Sequence, residues 1–189
     1  LEQLDLQGRV VTGDAQFTQR AVCEDIVKKG GDYLFVVKGN QPTLRQDIAD
    51  LWDGAPLPKA DVSKINKHGD RIERRSLWAS DELVGYSDWP HMAQVCRLER
   101  VVNCKEKISR DVAYGVTSLS SQKGGPARLL ALSRGHWGIE NRTHWVRDVT
   151  FDEDRCQIRT GAAPQVMAAL RNMTISLLRL AGKPIAVSG

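Results

Sequence analysis

Apolar and polar positions along this chain follow three rhythms, and each predicts a different kind of element. Arg9-Val-Val-Thr-Gly-Asp14 is a short β-branched run that reads as a strand ending at Asp14. From Phe17 to Lys29 the apolar residues Phe17, Ala21, Val22, Ile26 and Val27 fall at helical spacing, and Gly30-Gly31 ends that stripe. Asp32-Tyr-Leu-Phe-Val-Val-Lys38 is almost continuously apolar, the pattern of a strand covered on both faces. Pro42 is placed to open a further helix, from Thr43 to Trp52. Strand, helix, strand, helix is a βαβ unit, for which a parallel pair with a right-handed crossover is expected.

The rhythm then changes. From Gly54 to Gly69 the prolines Pro56 and Pro58 and a polar, lysine-containing stretch read as linker. Arg71–Trp78, Gln94–Asn103 and Arg110–Thr117 carry strand signals, with Lys105-Glu-Lys107 as a turn between the last two. After Gly124-Gly125-Pro126 the pattern is helical. One helix is predicted over Pro126–Arg134, a second through His136 to Val146, and a long amphipathic one whose apolar positions include Val166, Leu170, Met173 and Leu177. The organisation that follows is residues 1–58 as an α/β section, 59–121 as a β-rich insertion and 122–189 as C-terminal helices.

Composition narrows the class. The chain has 189 residues, 41% hydrophobic and 26% charged, enough for one domain or one and a half with a real core. The formal net charge of +4 is compatible with nucleic acid without requiring it. Cys23, Cys96, Cys104 and Cys156 form no CxxC pair and match no zinc module; they read as reduced, mostly buried thiols. No membrane span or signal peptide is legible, so a cytoplasmic, nucleoid-associated location is the expectation. Leu1 is not a start methionine, and the chain reads as a fragment of a longer protein.

The chemistry is concentrated near the C-terminus. In His136-Trp-Gly-Ile-Glu140-Asn-Arg-Thr-His144-Trp-Val-Arg147-Asp148, a helix would put His136, Glu140, His144 and Asp148 on one line, joined by Arg147. An acid flanked by histidines and an arginine, beside two tryptophans, suits a carboxylate that holds a metal next to a phosphate. An ion pair with Arg142 or Arg147 is the structural alternative. The histidine spacing alone does not make a zinc site, because the zinc helix places its Glu directly after the first His. Asp14, where a strand ends and a helix is about to start, is the second candidate, with capping by Asp14 or Thr18 as its bland reading. Asp148, Asp152, Glu153 and Asp154 make an acidic patch that reads equally well as solvated loop. Arg71, Arg74 and Arg75, with Lys64, Lys67 and His68, form the densest basic patch, which is either solvated charge or a β-ribbon along a DNA backbone.

Three segments carry a family resemblance: Val11-Thr-Gly-Asp14-Ala-Gln; Gly31-Asp-Tyr-Leu-Phe-Val-Val-Lys-Gly-Asn-Gln-Pro42; and His136-Trp-Gly-Ile-Glu140-Asn through Phe151-Asp-Glu-Asp154 to Arg159 and the final helix. The chain resembles the C-terminal part of DDE-type insertion-sequence transposases, in the subgroup that includes the H-repeat-associated proteins. The resemblance implies an RNase H-like core whose first strands precede Leu1, with a β-rich insertion before the last catalytic helix. It maps the second catalytic acid to Asp14 and the third to Glu140, both as metal ligands. The first lies on a strand absent from the chain. Arg147 falls where a Lys is common, His136 where Arg is common, and Ser133 where Tyr is common. His136, His144 and Arg147 are thereby expected on DNA, together with the Arg71, Arg74 and Arg75 patch. The implied reaction is cutting and joining of DNA at insertion-sequence ends by a homo-oligomer on paired ends, with Mg²⁺ or Mn²⁺. Two such ions, about 3.5–4 Å apart, suit phosphodiester cleavage without a Ser or Cys nucleophile. The fragment alone is expected not to cut. The rivals are a non-catalytic DNA-binding remnant of a transposase, a metal-dependent nuclease of similar core, and an unrelated α/β binding domain.

Overall fold

The structure, a computed structural model, describes residues 5–53, 56–105, 107–139, 160–161 and 163–180. It divides into two units, Leu1–Arg134 and Gly135–Gly189. The first is a mixed α/β unit built on one sheet.

Strand β1 (Val10–Gly13) leads through a short 3-10 turn (Ala15–Phe17) into α1 (Arg20–Lys28), and β2 (Asp32–Val37) follows. β1 and β2 pair in parallel, with Val10 beside Asp32 and Gly13 beside Phe35, as the βαβ reading requires. The predicted single helix from Phe17 is interrupted. Thr18 and Gln19 are extended or irregular between the turn and α1, and Phe17 is half exposed rather than part of the buried stripe. α1 buries Cys23 and Ile26, one helical turn apart. It stops where the glycines said it would. Gly30 takes a left-handed φ of 75°, its N–H bonds to the Val27 carbonyl and that of Gly31 to the Ile26 carbonyl, a Schellman closure that a Cβ would strain. α2 (Pro42–Asp53) begins on its proline and buries Leu44, Ile48, Ala49 and Trp52.

The β-rich section supplies β3 (Val62–His68), β4 (Arg71–Ser80), β5 (Gln94–Cys104) and β6 (Lys107–Thr117) as an antiparallel meander. β6 then returns beside β2, Leu34 opposite Thr117, so all six strands form one sheet in the order β1-β2-β6-β5-β4-β3. β3 corrects the linker reading of 54–69. Its apolar residues Val62 and Ile65 point to opposite faces, so the sequence carries no period-two signal. The strand is held instead by its ladder to β4, by the Ser63–Ser76 hydroxyl pair at 2.7 Å, and by Asp61, which accepts the Ala79 N–H at 2.8 Å.

Both faces of the sheet are covered around β2, which is why that strand reads as a continuous apolar run. On one face Phe35, Val37, Trp78, Val95 and Val116 pack with Ile26 of α1 and Ile48 of α2. On the other, Leu34, Leu77 and Cys96 pack with Leu119 and with Leu129 and Leu130 of α3 (Pro126–Ile139). Fully burying side chains of this size stabilises the unit by about 1.5–3 kcal/mol each. α3 runs unbroken through the predicted break between Arg134 and His136; the rest of the second predicted helix, to Val146, lies outside the described residues. Within the second unit the described element is α4 (Ala163–Leu180), with Val166, Leu170 and Met173 exposed along it. Among the described residues no helix is long and apolar enough to cross a membrane.

Cys23 and Cys96 are buried thiols. Burial pushes them up to about 11 and about 12, so neither is a ready nucleophile, whereas Cys104 is exposed. Cys156 lies outside the described residues.

Candidate catalytic and nucleic-acid site

Asp14 follows the last residue of β1 and, because the pair is parallel, sits at the same end of the sheet as Val37, the last residue of β2. Its carbonyl accepts the Phe17 N–H at 2.9 Å, which winds the 3-10 turn. Its side chain makes no capping hydrogen bond and is exposed. Thr18 is not a cap either. It is fully buried, and its hydroxyl donates to the Val36 carbonyl at 2.6 Å. The loop leaving β2 completes the attachment. The Asn40 amide donates to the Ala15 carbonyl at 2.6 Å and reaches the Thr18 carbonyl at 3.4 Å, while the Gln41 amide donates to the Thr18 carbonyl at 3.0 Å. Side-chain amides thus sew together the two loops that leave the parallel strands. Nothing in the pattern of the Gly39-Asn40-Gln41 run announces this role.

The second assembly lies on the far part of the β3–β6 ribbon. Arg71, Glu73 and Arg75 alternate onto one face with Leu77, while Arg74 points to the opposite face, in register with Ile65 and Arg110. The basic run Arg71–Arg75 is therefore split by the pleat. Glu73 draws three arginines: Arg100 at 2.5 Å, Arg75 at 2.6 Å and Arg71 at 3.8 Å. Burial pushes the Glu73 carboxyl up, but the Arg100 hydrogen bond and the charges of Arg75, Arg100 and Arg71 outweigh it and hold the group below the ordinary carboxylate range. Sequence reasoning missed Arg100, because only strand register brings it opposite Arg75.

A different ion cluster is sunk in the opposite face. Arg97 and Glu99 are both buried, 3.3 Å apart, and Arg110 closes on the same Glu99 oxygen. The Arg97 guanidinium lies 4.9 Å from the Trp78 ring centre. Here too burial raises the carboxyl, and Arg110 and then Arg97 more than reverse it.

His136 lies in the last turn of α3 and is half-buried. Glu140, His144, Arg147 and Asp148 lie outside the described residues, as do Asp152, Glu153 and Asp154. Among the described residues no three His, Cys, Asp or Glu side chains converge as a metal site.

The first unit thus carries an exposed carboxylate at the carboxyl end of a parallel strand and a ribbon with a cluster of arginines. Residues 1–177 match the family described as Transposase DDE domain. The chain belongs to this family. Among its relatives, the DDE transposase family chain is 31% identical over 191 residues to "H repeat-associated putative transposase YhhI" of Escherichia coli K12, covering 94% of this chain and 49% of the relative. It is equally similar to the protein YbfL of the same organism, with the same coverage, and 36% identical over 93 residues to the H repeat-associated YbfD, covering 46% of this chain and 37% of that one. The chain spans about half the length of the first two of these relatives. A solved S-adenosylmethionine-dependent methyltransferase from Clostridium acetobutylicum aligns at 9% identity and a TM-score of 0.22, a likeness too slight to bear on fold or function.

Proposed function

We propose that this chain is the C-terminal part of the catalytic domain of a DDE transposase that cuts and joins DNA at insertion-sequence ends. β1, α1 and β2 belong in this reading to an RNase H-like core, residues 59–121 to its β-rich insertion, and 122–189 to the helices that carry the third acid. The observation that carries the reading is Asp14: an exposed carboxylate not used as a cap, at the carboxyl end of a parallel strand, on a loop held by three side-chain hydrogen bonds from the β2 loop, in a chain of this family. Asp14 and Glu140 are the proposed metal-holding pair.

The donor chemistry fits. Asp14 offers hard carboxylate oxygens of the kind Mg²⁺ and Mn²⁺ prefer, and hard cations keep several waters, so few protein ligands are needed. A divalent ion bound there would neutralise charge on the phosphoryl oxygens and lower the pKa of a bound water. The chain's own contribution is placement. Asn40, Gln41 and Thr18 fix the backbone of the loop that carries Asp14, so the point from which its carboxylate reaches out is set in advance. His136, His144 and Arg147 are the proposed phosphate contacts of the helical segment, and the basic ribbon the contact with DNA further out. A homo-oligomer on paired DNA ends is the expected working assembly.

Two substitutions test this in the protein that carries the chain. Asp14→Asn and Glu140→Gln should each abolish Mg²⁺-dependent cleavage of end DNA while leaving the fold intact by circular dichroism. Strand cutting at the normal rate by either one would end the assignment. Joining of pre-cleaved ends separates a transposase from a nuclease of similar core. The 189-residue chain alone is expected to bind DNA weakly and not to nick it, because β1 stands at the edge of the described sheet with one flank unpaired.

A further inference from the structure

The far part of the β3–β6 ribbon has two chemically unlike faces. Cross-strand register places Lys64 opposite Arg75, Arg75 opposite Arg100 and Arg100 opposite Asp111, and four residues further along the strands it carries Arg71 and Lys107 to the same side. The resulting face holds Lys64, Arg71, Arg75, Arg100 and Lys107 against only Glu73 and Asp111. The other face presents exposed Ile65, Ile72, Ile108 and Val112. Of its arginines, Arg110 is committed to the buried Glu99.

Glu73 braces the basic face. Three long side chains converge on one carboxylate, so their rotamers are largely set before any ligand arrives, and the entropy of fixing them is not charged to binding. Glu73, with Asp111 3.7 Å from Arg100, still leaves the cluster short of negative charge against three guanidiniums. Arg75 records the deficit: burial disfavours its charge, and Arg100, Arg134 and Arg71 crowd it further, with Glu73 alone in opposition. Such a surface is complementary to a regular polyanion. Four strands about 4.8 Å apart span roughly 14 Å, the length over which one strand of a duplex offers about four phosphates.

We infer that this face, Lys64, Arg71, Arg75, Arg100 and Lys107 braced by Glu73, is the surface that lies along the phosphate backbone of duplex DNA, and that Arg74 and Lys67 on the opposite face take no part. The inference rests on the reading of DNA as substrate but not on the assignment of Asp14. It departs from the sequence, in which Arg74 stands between the other two as their equal.

The experiment compares two charge-matched pairs in the 189-residue chain by fluorescence anisotropy, using a short labelled duplex of arbitrary sequence over a range of salt. Lys64 and Lys107 lie outside the Glu73 network, so Lys64→Gln with Lys107→Gln leaves the brace intact. This pair should weaken binding and reduce the slope of log affinity against log salt by about 1.8, two contacts at about 0.9 each. The opposite pair, Lys67→Gln with Arg74→Gln, should leave the slope unchanged. Equal effects from the two pairs, a larger effect from the second, or wild-type binding by the first would each overturn the inference. The readout is equilibrium binding without a divalent metal and involves no strand cutting, so a failure of the face and a failure of the catalytic assignment are read in separate assays.

Discussion

Two glutamates on opposite faces of β4 and β5 hold arginines for different ends. Glu73 sits in a half-buried cluster with a surplus of positive charge. Glu99 sits in a deeper one, 7% exposed beside Arg97 at 4%, with the more exposed Arg110 closing it from outside. Removing one partner of a buried pair leaves the other uncompensated, so Glu99→Gln should destabilise the chain by about 3–5 kcal/mol, read as a fall in the urea midpoint. Arg74→Gln, a surface change, should stay within about 0.5 kcal/mol of wild type. Both carboxyls are held below their ordinary value of 4.5. A depressed group contributes stability that is fully present above its unfolded pKa and is lost as pH falls through the folded one. Stability should therefore hold from neutrality down to the ordinary carboxylate range and decline on further acidification. Urea titrations at a series of pH values check this, and Glu99→Gln should show a shallower acid decline. At this scale the sequence was legible in kind but not in placement. Arg71-Ile-Glu-Arg-Arg75 is visibly basic, yet which arginine shares a face with which depends on a partner strand distant in the chain.

Among the elements, the βαβ unit was the most legible, because β-branched runs, a helical stripe and two glycines all state the same outcome. What the pattern could not state is how the two exit loops are joined. Hydrogen bonds from amide side chains to carbonyls leave no periodic trace. Asn40→Ala should cost about 1 kcal/mol and speed hydrogen exchange at the Phe17 and Thr18 amides, leaving those of Cys23 and Ile26 at wild-type rates. Unchanged exchange at Phe17 and Thr18 would mean the turn is held by Thr18 and its own backbone. β3 was illegible for the opposite reason: as an edge strand with polar residues on both sides it is specified by its ladder rather than by burial. At the other pole of the chain, α3 was seen in pieces because Gly135 and Gly138 punctuate a stretch that stays helical.

For the whole molecule, the sequence announced an α/β part followed by a β part but not that they share one sheet. The closing step is the return of β6 to β2, a pairing of Leu34 with Thr117 that neither strand's composition encodes. It follows that β2 has only its β1 neighbour until the last of the meander is made. A ribosome must deliver Thr117 before the second ladder of β2 can form, and contacts this remote in sequence are slow to close. Nascent chains halted short of Lys107 would leave an apolar strand with a naked flank, which is the form most apt to be captured by chaperones or to aggregate.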